Sequence, residues 1–468
     1  MAFKRWKDNP EVQDAYGKLE DQLRKYYQLA SSEKKEDRPQ AQKVWANMSS
    51  SYWEIVLALV DAQTQSNPAK LTFDPEERVF IDLGCLPGAL PLAKDFDFKK
   101  YLATKCAPDI FPVMTFSDFI IEAWAIINGN PAPDPVIGMS LENRIAGLNE
   151  MLFNAQGERN EFLSKIASAY PSKLNVRQTI DTLNELLIPA MKVIMRVPEY
   201  REGDEATRQK LAQSRKAYID AEKNALLFVS SANKNEEKPL PLAQVEKFEA
   251  LHEKTRVIAK KILYSQIDAV KIARRSKKIT DNCAAMSPQM KRSELKNMIV
   301  KKREYLTVPA KNARCDTSLL CQPGSTPIDY AKDYEIFREF NSMDMDMFNV
   351  PRVRMYGIPR IIFVPGQGLG TYDWSDHTLI VPAFPVGGED KSVSYALGTF
   401  RWDSDEDRKV KTPYEGIKEN KKKSLLALAS SFYKDYSVWL TKEKRGYRLL
   451  PREIHKVFVQ IFTQKPEE

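Results

Sequence analysis

The chain has 468 residues, 29% of them charged and 43% hydrophobic, with a formal net charge of +8 and a mean hydropathy of −0.46. That length exceeds one ordinary core and suggests about two to four folding units. No apolar run reaches the roughly 18 residues of a membrane span, since the best candidate, Ser51 to Ala62, carries Glu54 and Asp61. The start, Met1 to Asp8, is basic but has no apolar stretch behind it, so we expect no signal peptide and a cytoplasmic location. Five cysteines, Cys85, Cys106, Cys283, Cys315 and Cys321, lack CxxC spacing and read as reduced thiols.

In chain order, Val12, Tyr16, Leu19, Leu23 and Tyr26 form one stripe on a helix. A second helix follows, with Asp37 as a cap, Pro39 in its first turn, and Ala41, Val44, Met48, Tyr52, Ile55 and Leu59 continuing the stripe to about Ala62. The two make a helical hairpin over 1–65. The β-branched and aromatic run from Arg78 to Leu83 reads as a strand, followed by a Pro-rich turn with Cys85 as a buried structural thiol. Phe116 to Ile127 is a dense apolar helix ended by Gly129 and the prolines at 131, 133 and 135. With short helices at 141–156 and 161–170, the span 76–170 is a mostly helical region with one strand.

Residues 171–311 read as a long, basic, coiled-coil-like arm. Val176 to Val197 is interrupted by Pro189, and Leu211, Tyr218, Ala221, Ala225 and Phe228 share one side of a helix over 205–231. Phe248, Leu251, Thr255, Ile258 and Ile262 step by three and four on the next, a seam that suits an antiparallel hairpin projecting toward a partner. Lys254 to Arg314 holds seventeen Lys and Arg against four acids, so the basic excess is local. Two compact clusters, Arg274, Arg275, Lys277 and Lys278, and Lys301, Lys302 and Arg303, are candidates for salt-dependent contact with nucleic acid or anionic lipid. Aromatic residues for base stacking are nearly absent there, which argues against specific nucleic-acid recognition.

The turn-rich stretch 312–327 marks a domain boundary, and 328–468 forms an α+β module. Arg360 to Val364, Thr378 to Val381 and Ser392 to Trp402 read as strands around the polar loop Pro365 to His377. Gly366, Gly368 and Gly370 are not a dinucleotide fingerprint, because no helix opens after them. Asp373, Asp376 and His377 combine metal-ligand types, yet the other histidines, His252 and His455, stand in no HExxH or HxH spacing. Asp403 to Asp407 has the start of a calcium loop but lacks its glycine and its final glutamate. Apolar stripes at Leu425, Leu428, Phe432, Tyr436 and Trp439, and at Ile454, Phe458, Ile461 and Phe462, mark two helices that back the small sheet.

The expected fold is therefore mainly α and multi-domain, with an N-terminal helical region, a long helical hairpin arm and a C-terminal α+β module. No phosphate-loop, nucleophile-elbow, HExxH or kinase motif occurs, and no cofactor is expected. The leading expectation is a non-enzymatic scaffold or adaptor that binds other proteins or itself through Tyr372, Trp374, Phe384 and Trp402 on exposed loops. The alternatives are a metal-dependent hydrolase or transferase using Asp373, Asp376, His377 and the acids at 403–407, and a polyanion-binding arm.

Overall fold

The computed structural model describes residues 3–84, 113–130, 141–170, 174–234, 237–304, 330–344, 347, 350–385, 387–421 and 423–463. The turn after Gly84, Cys85, Cys106, Cys315, Cys321 and the expected boundary at 312–327 lie outside them. The fold is mainly helical with one small sheet. Two compact units divide the chain: Met1–Ser140 with Ile272–Met347 and Pro359–Lys465, and Leu141–Lys271 with Phe348–Ile358 and Pro466–Glu468.

In the first unit, α1 (Pro10–Ala30) opens on Asn9, whose side chain accepts from the Val12 N–H at 3.1 Å, and packs its Val12, Tyr16, Leu19 and Tyr26 stripe on α2 (Asp37–Ser66). Asp37 sits inside the first turn of α2 rather than capping it. The run Arg78 to Leu83, which reads as a strand, is helical: it belongs to α3 (Pro75–Leu83). Asp74 and Glu77 form a reciprocal capping box there and Pro75 fills the first position, so two satisfied N-terminal donors outweigh the β-branched composition. Edge-to-face and tilted ring contacts then run from Phe3 to Phe80, from Phe80 to Tyr52, and from Trp53 to Phe116.

The same unit holds a sheet of four described strands in the order β1, β2, β4, β3, where β1 is Val113–Met114, β2 Arg360–Gly368, β3 Thr371–Asp373 and β4 Thr378–Pro385. Strands β1, β2 and β4 are parallel, and β3 pairs antiparallel with β4. The sheet is therefore not confined to the C-terminal segment, because β1 comes from more than two hundred residues earlier in the chain. Leu369 and Gly370 carry the chain from β2 to β3 across β4. A Cβ at Gly370 would meet the Ser392 carbonyl and stand 2.9 Å from the Ala396 Cβ, so only glycine passes there.

Ser392 to Trp402 is the second departure from the strand reading, since it lies in α4 (Glu389–Asp403). Val393, Ala396, Leu397 and Phe400 are spaced by three, one and three and all are fully buried, the period of a helix covering a sheet. This helix packs against β3, β4 and α5 (Leu425–Thr441). Helix α5 and α6 (Arg452–Phe462) close the core through Phe432, Tyr436, Trp439, Phe458 and Phe462. The stripe of α5 begins at Leu428, because Leu425 is 77% exposed.

The second unit is a multi-helix assembly. It contains Leu141–Ala169, Val176–Glu185, Leu187–Ile194, Glu205–Asn233 and the first thirty residues of Leu242–Cys283. Pro189 falls in the first turn of its helix, where a missing N–H costs little. The expected hairpin is present: Leu240 N–H bonds the Ala232 carbonyl at the turn, and Glu222 meets His252 farther along. It does not project on narrow stripes, since the helix Leu141–Ala169 covers it, with Phe162 stacked on Phe248 and Arg159 reaching Thr255. Burial pulls the Arg159 guanidinium down to about 10, and Asn160, Asn184 and Thr255 take its hydrogen bonds. For Glu222, burial alone would raise the carboxyl, but the His252 hydrogen bond and the Arg256 charge outweigh it and hold it below its ordinary range.

Helix α3 carries a pH dependence. Asp82 accepts the Ser117 N–H at 2.7 Å and the Ser117 hydroxyl at 2.8 Å, but complete burial pushes its carboxyl up to about 7. Glu77 is raised to about 7 for the same reason. Both acids then hold protons in the folded state that the unfolded chain releases above its ordinary carboxyl range. Stability is greatest below that range and falls as pH rises toward 7. Asp82→Asn, which keeps the shape and removes the charge, should raise the melting temperature only slightly at pH 5 and by several degrees at pH 8. Thermal denaturation of both proteins at the two pH values checks this.

Candidate functional site

The residues that stood out in the sequence as metal ligands and as polyanion binders meet in one place. Strand β3 ends on Asp373 and β4 begins on Thr378, and the turn between them holds Trp374, Ser375, Asp376 and His377. The helix Pro288–Glu304, rich in lysine, runs beside this turn. The Lys302 ammonium is buried and donates to Asp373 Oδ2 at 2.7 Å and to Asp376 Oδ2 at 2.5 Å. It also lies 5.4 Å from the ring centroid of Phe119. Lys301 donates to the Ser375 hydroxyl at 2.7 Å, and Asp373 Oδ1 accepts from both the N–H and the hydroxyl of Ser375, at 2.9 and 2.6 Å.

Beneath the turn, Tyr372 and His377 are buried and share a hydrogen bond of 2.5 Å between the phenol oxygen and Nδ1. Both rings pack against Phe400 on α4. His377 has φ 56°, a left-handed conformation that costs a side-chain-bearing residue about 1–2 kcal/mol and that the Tyr372 bond holds in place. A second buried ion pair fixes the other strand, with Arg360 at the start of β2 donating to both oxygens of Glu122 at 3.2 and 3.1 Å. Glu122 lies on the helix Phe116–Ile127, which carries Phe119 as well.

These contacts redistribute the roles read from the sequence. Between Asp373 and Asp376 stands the Lys302 ammonium, and no three His, Cys, Asp or Glu among the described residues converge to hold a metal ion. Lys301 and Lys302 of the basic cluster are engaged by their own fold, and Lys296 of the same helix pairs with Asp61. The side chains of Arg303 and Arg275 lie outside the described residues, whereas Arg274, Lys277 and Lys278 are exposed. In the acidic turn, Asp405 points inward and accepts from Val410 N–H at 3.0 Å and Lys411 N–H at 2.7 Å, and burial raises its carboxyl despite those bonds.

Of the aromatic residues expected on exposed loops, Tyr372 faces the core from β3. Trp402 is buried because it stands on α4 rather than on a loop, against Tyr414 and Phe432. Phe384 lies in β4, and its side chain is outside the described residues. Trp374, at the tip of the clamped turn, is 54% exposed. The part that sequence reasoning missed is Lys302 as the partner of the two aspartates, across 71 and 74 residues of chain. Nothing local signals it; an excess of lysine on one helix facing two acids in one turn is the only hint. No protein-family model, curated protein or solved structure matches the chain.

Removing the clamp should be costly because two carboxylates would stay buried without their cation. Lys302→Met is expected to lower the unfolding free energy by about 3–5 kcal/mol. Lys301→Ala, at the rim, should change it by about 0–1 kcal/mol. Chemical denaturation of the two variants compares them.

Proposed function

We propose that the protein is a non-enzymatic scaffold or adaptor that binds other proteins or further copies of itself, with the β3–β4 turn as one contact. The observation that carries this reading is Trp374, 54% exposed at the tip of a turn held from below by Lys302, Asp373 and Asp376. Tryptophan is among the side chains that dominate protein interfaces. A mount that is already ordered loses little freedom on binding, so more of the contact energy reaches the complex. The helical unit adds further exposed apolar side chains, Met151, Phe153, Leu227 and Leu242, of the kind a partner covers.

Trp374→Ala should weaken self-association or a partner complex by roughly tenfold or more, a step of about 1.4 kcal/mol, with the melting temperature nearly unchanged. Sedimentation equilibrium and capture with immobilised full-length chain read the two cases. Unaltered association, or a stoichiometric divalent ion bound in calorimetry and lost in Asp373→Asn, would overturn the reading in favour of the hydrolase.

A second reading rests on Arg274, Lys277 and Lys278, exposed near the end of the helix Leu242–Cys283. They form a salt-sensitive grip for polyanions without stacking partners, hence without sequence preference. Changing the three to Glu should abolish retention on heparin at low salt, and wild-type retention should already be gone at physiological salt. Equal retention of the variant removes this reading.

A further inference from the structure

We infer that the start of α5 is a tip that docks on anionic lipid bilayers, with Leu425 and Leu426 entering the headgroup layer and the lysines before them meeting lipid phosphates and carboxylates. The periodicity of α5 assigns Leu425 to the buried stripe, yet Leu425 is 77% and Leu426 82% exposed, and Ala427 beside them is exposed as well. Two adjacent leucines almost wholly in water on an ordered helix end are unfavourable unless something covers them.

The surroundings say what that cover is. Residues 417–427 contain four lysines, Lys418, Lys421, Lys422 and Lys423, against the single acid Glu419. Lys418, Lys421 and Lys423 are exposed. Of the nearby acids, Glu415 pairs with Arg408 at 2.5 Å, and Asp435 accepts from the Tyr414 hydroxyl at 2.5 Å and offsets part of the Lys423 charge. An apolar point rimmed by lysines is complementary to a surface that is negative outside and apolar beneath, which is the profile of an anionic bilayer. A protein partner fits less well: successive helix positions lie about 100° apart, so the two leucines splay over a convex turn and offer far less than the roughly 800 Å² per side of a stable protein interface.

The mount is also stiff. Ile417 and Asn420 are buried, Asn420 donates from its side chain to the Tyr414 carbonyl at 3.0 Å, and its N–H bonds the Ile417 carbonyl at 2.9 Å. Ser424 caps α5 by accepting the Ala427 N–H at 3.4 Å, and the exposed Lys423 can exchange its 3.0 Å contact with Ser431 for a lipid phosphate. The tip therefore enters the headgroup layer without first having to be ordered. Because charge and apolar contact act together, binding should need anionic lipid and should weaken as salt screens the lysines. This docking is independent of Trp374 and of the scaffold reading.

The test is cosedimentation of the full chain with vesicles of phosphatidylcholine mixed with phosphatidylserine, and with vesicles of phosphatidylcholine alone. Wild type should bind the mixed vesicles and leave the neutral ones. Leu425→Ser with Leu426→Ser should lower the partition coefficient by roughly tenfold or more. Lys418→Gln, Lys421→Gln and Lys423→Gln together should remove the preference for phosphatidylserine. All these positions are exposed, so circular dichroism and melting should match wild type, and Trp374→Ala should bind vesicles as wild type does. Failure of wild type to bind the mixed vesicles, or equal binding by the double serine variant, overturns the proposal. So does a double serine variant whose only change is loss of self-association in sedimentation equilibrium, which would assign the tip to a second copy of the chain.

Discussion

Two buried cations, Arg360 and Lys302, hold the small sheet to the helices around it through their ion pairs, and the architecture of the first unit depends on them. Arg360 to Glu122 fixes the start of β2, and Lys302 to Asp373 and Asp376 fixes the turn between β3 and β4. With β1 only Val113–Met114 and β3 only Thr371–Asp373, the two outer described strands of the sheet add little pairing of their own and lean on the helices packed against them. Charges taken out of water are costly unless paired with good geometry, so these side chains tolerate one arrangement of their helices and penalise the others. The ion pairs thus set where the strands lie, more than they add to net stability.

Around that frame the core is aromatic. The rings of Phe3, Tyr16, Tyr52, Phe80, Trp53 and Phe116 bring α1, α2, α3 and the helix Phe116–Ile127 together, while Trp402, Tyr414, Phe432, Tyr436 and Phe458 join α4, α5 and α6. Gly370 lets the chain pass between β4 and α4, and at Gly398 an added Cβ would stand 3.3 Å from the Tyr436 ring on α5, a tight fit. Close approach at both places permits the sheet to be covered by a helix immediately following it in the chain. The result leaves the β3–β4 turn and the start of α5 at the surface, with their flanking residues tightly held.

The helical unit solves a different problem. Its interior carries Arg159, Tyr218, Glu222, His252, Thr255 and Arg256 rather than aliphatic side chains alone. Such a network is favourable only when the helices meet in the register that pairs its members, so it specifies packing in the way a polar residue in a coiled-coil seam does. It also explains why the hairpin is covered by Leu141–Ala169. The Arg159 guanidinium, on that helix, donates to Asn160 beside it, to Asn184 on Val176–Glu185 and to Thr255 on Leu242–Cys283.

The sequence by itself determined most of the helices, because caps and apolar periodicity act between residues one to four apart, as Asn9, Thr115, Asp204 and Ser424 show at their helix starts. The mainly helical fold with a small sheet, and β2 and β4 within it, were legible for the same reason. Local composition misled at Arg78 to Leu83 and Ser392 to Trp402, where a capping box and a helical period outweighed β-branched content. Only the tertiary structure decided that Trp402 and Tyr372 are core while Trp374 is surface, and that Lys302 belongs to two aspartates and not to a polyanion. Lys302 meets Asp373 across 71 residues and Arg360 meets Glu122 across 238, and Tyr372 and Trp402 are buried by Phe400 and Phe432, which stand on other elements. Such pairings are fixed by how whole elements pack, and no pattern within a few residues of either partner encodes them.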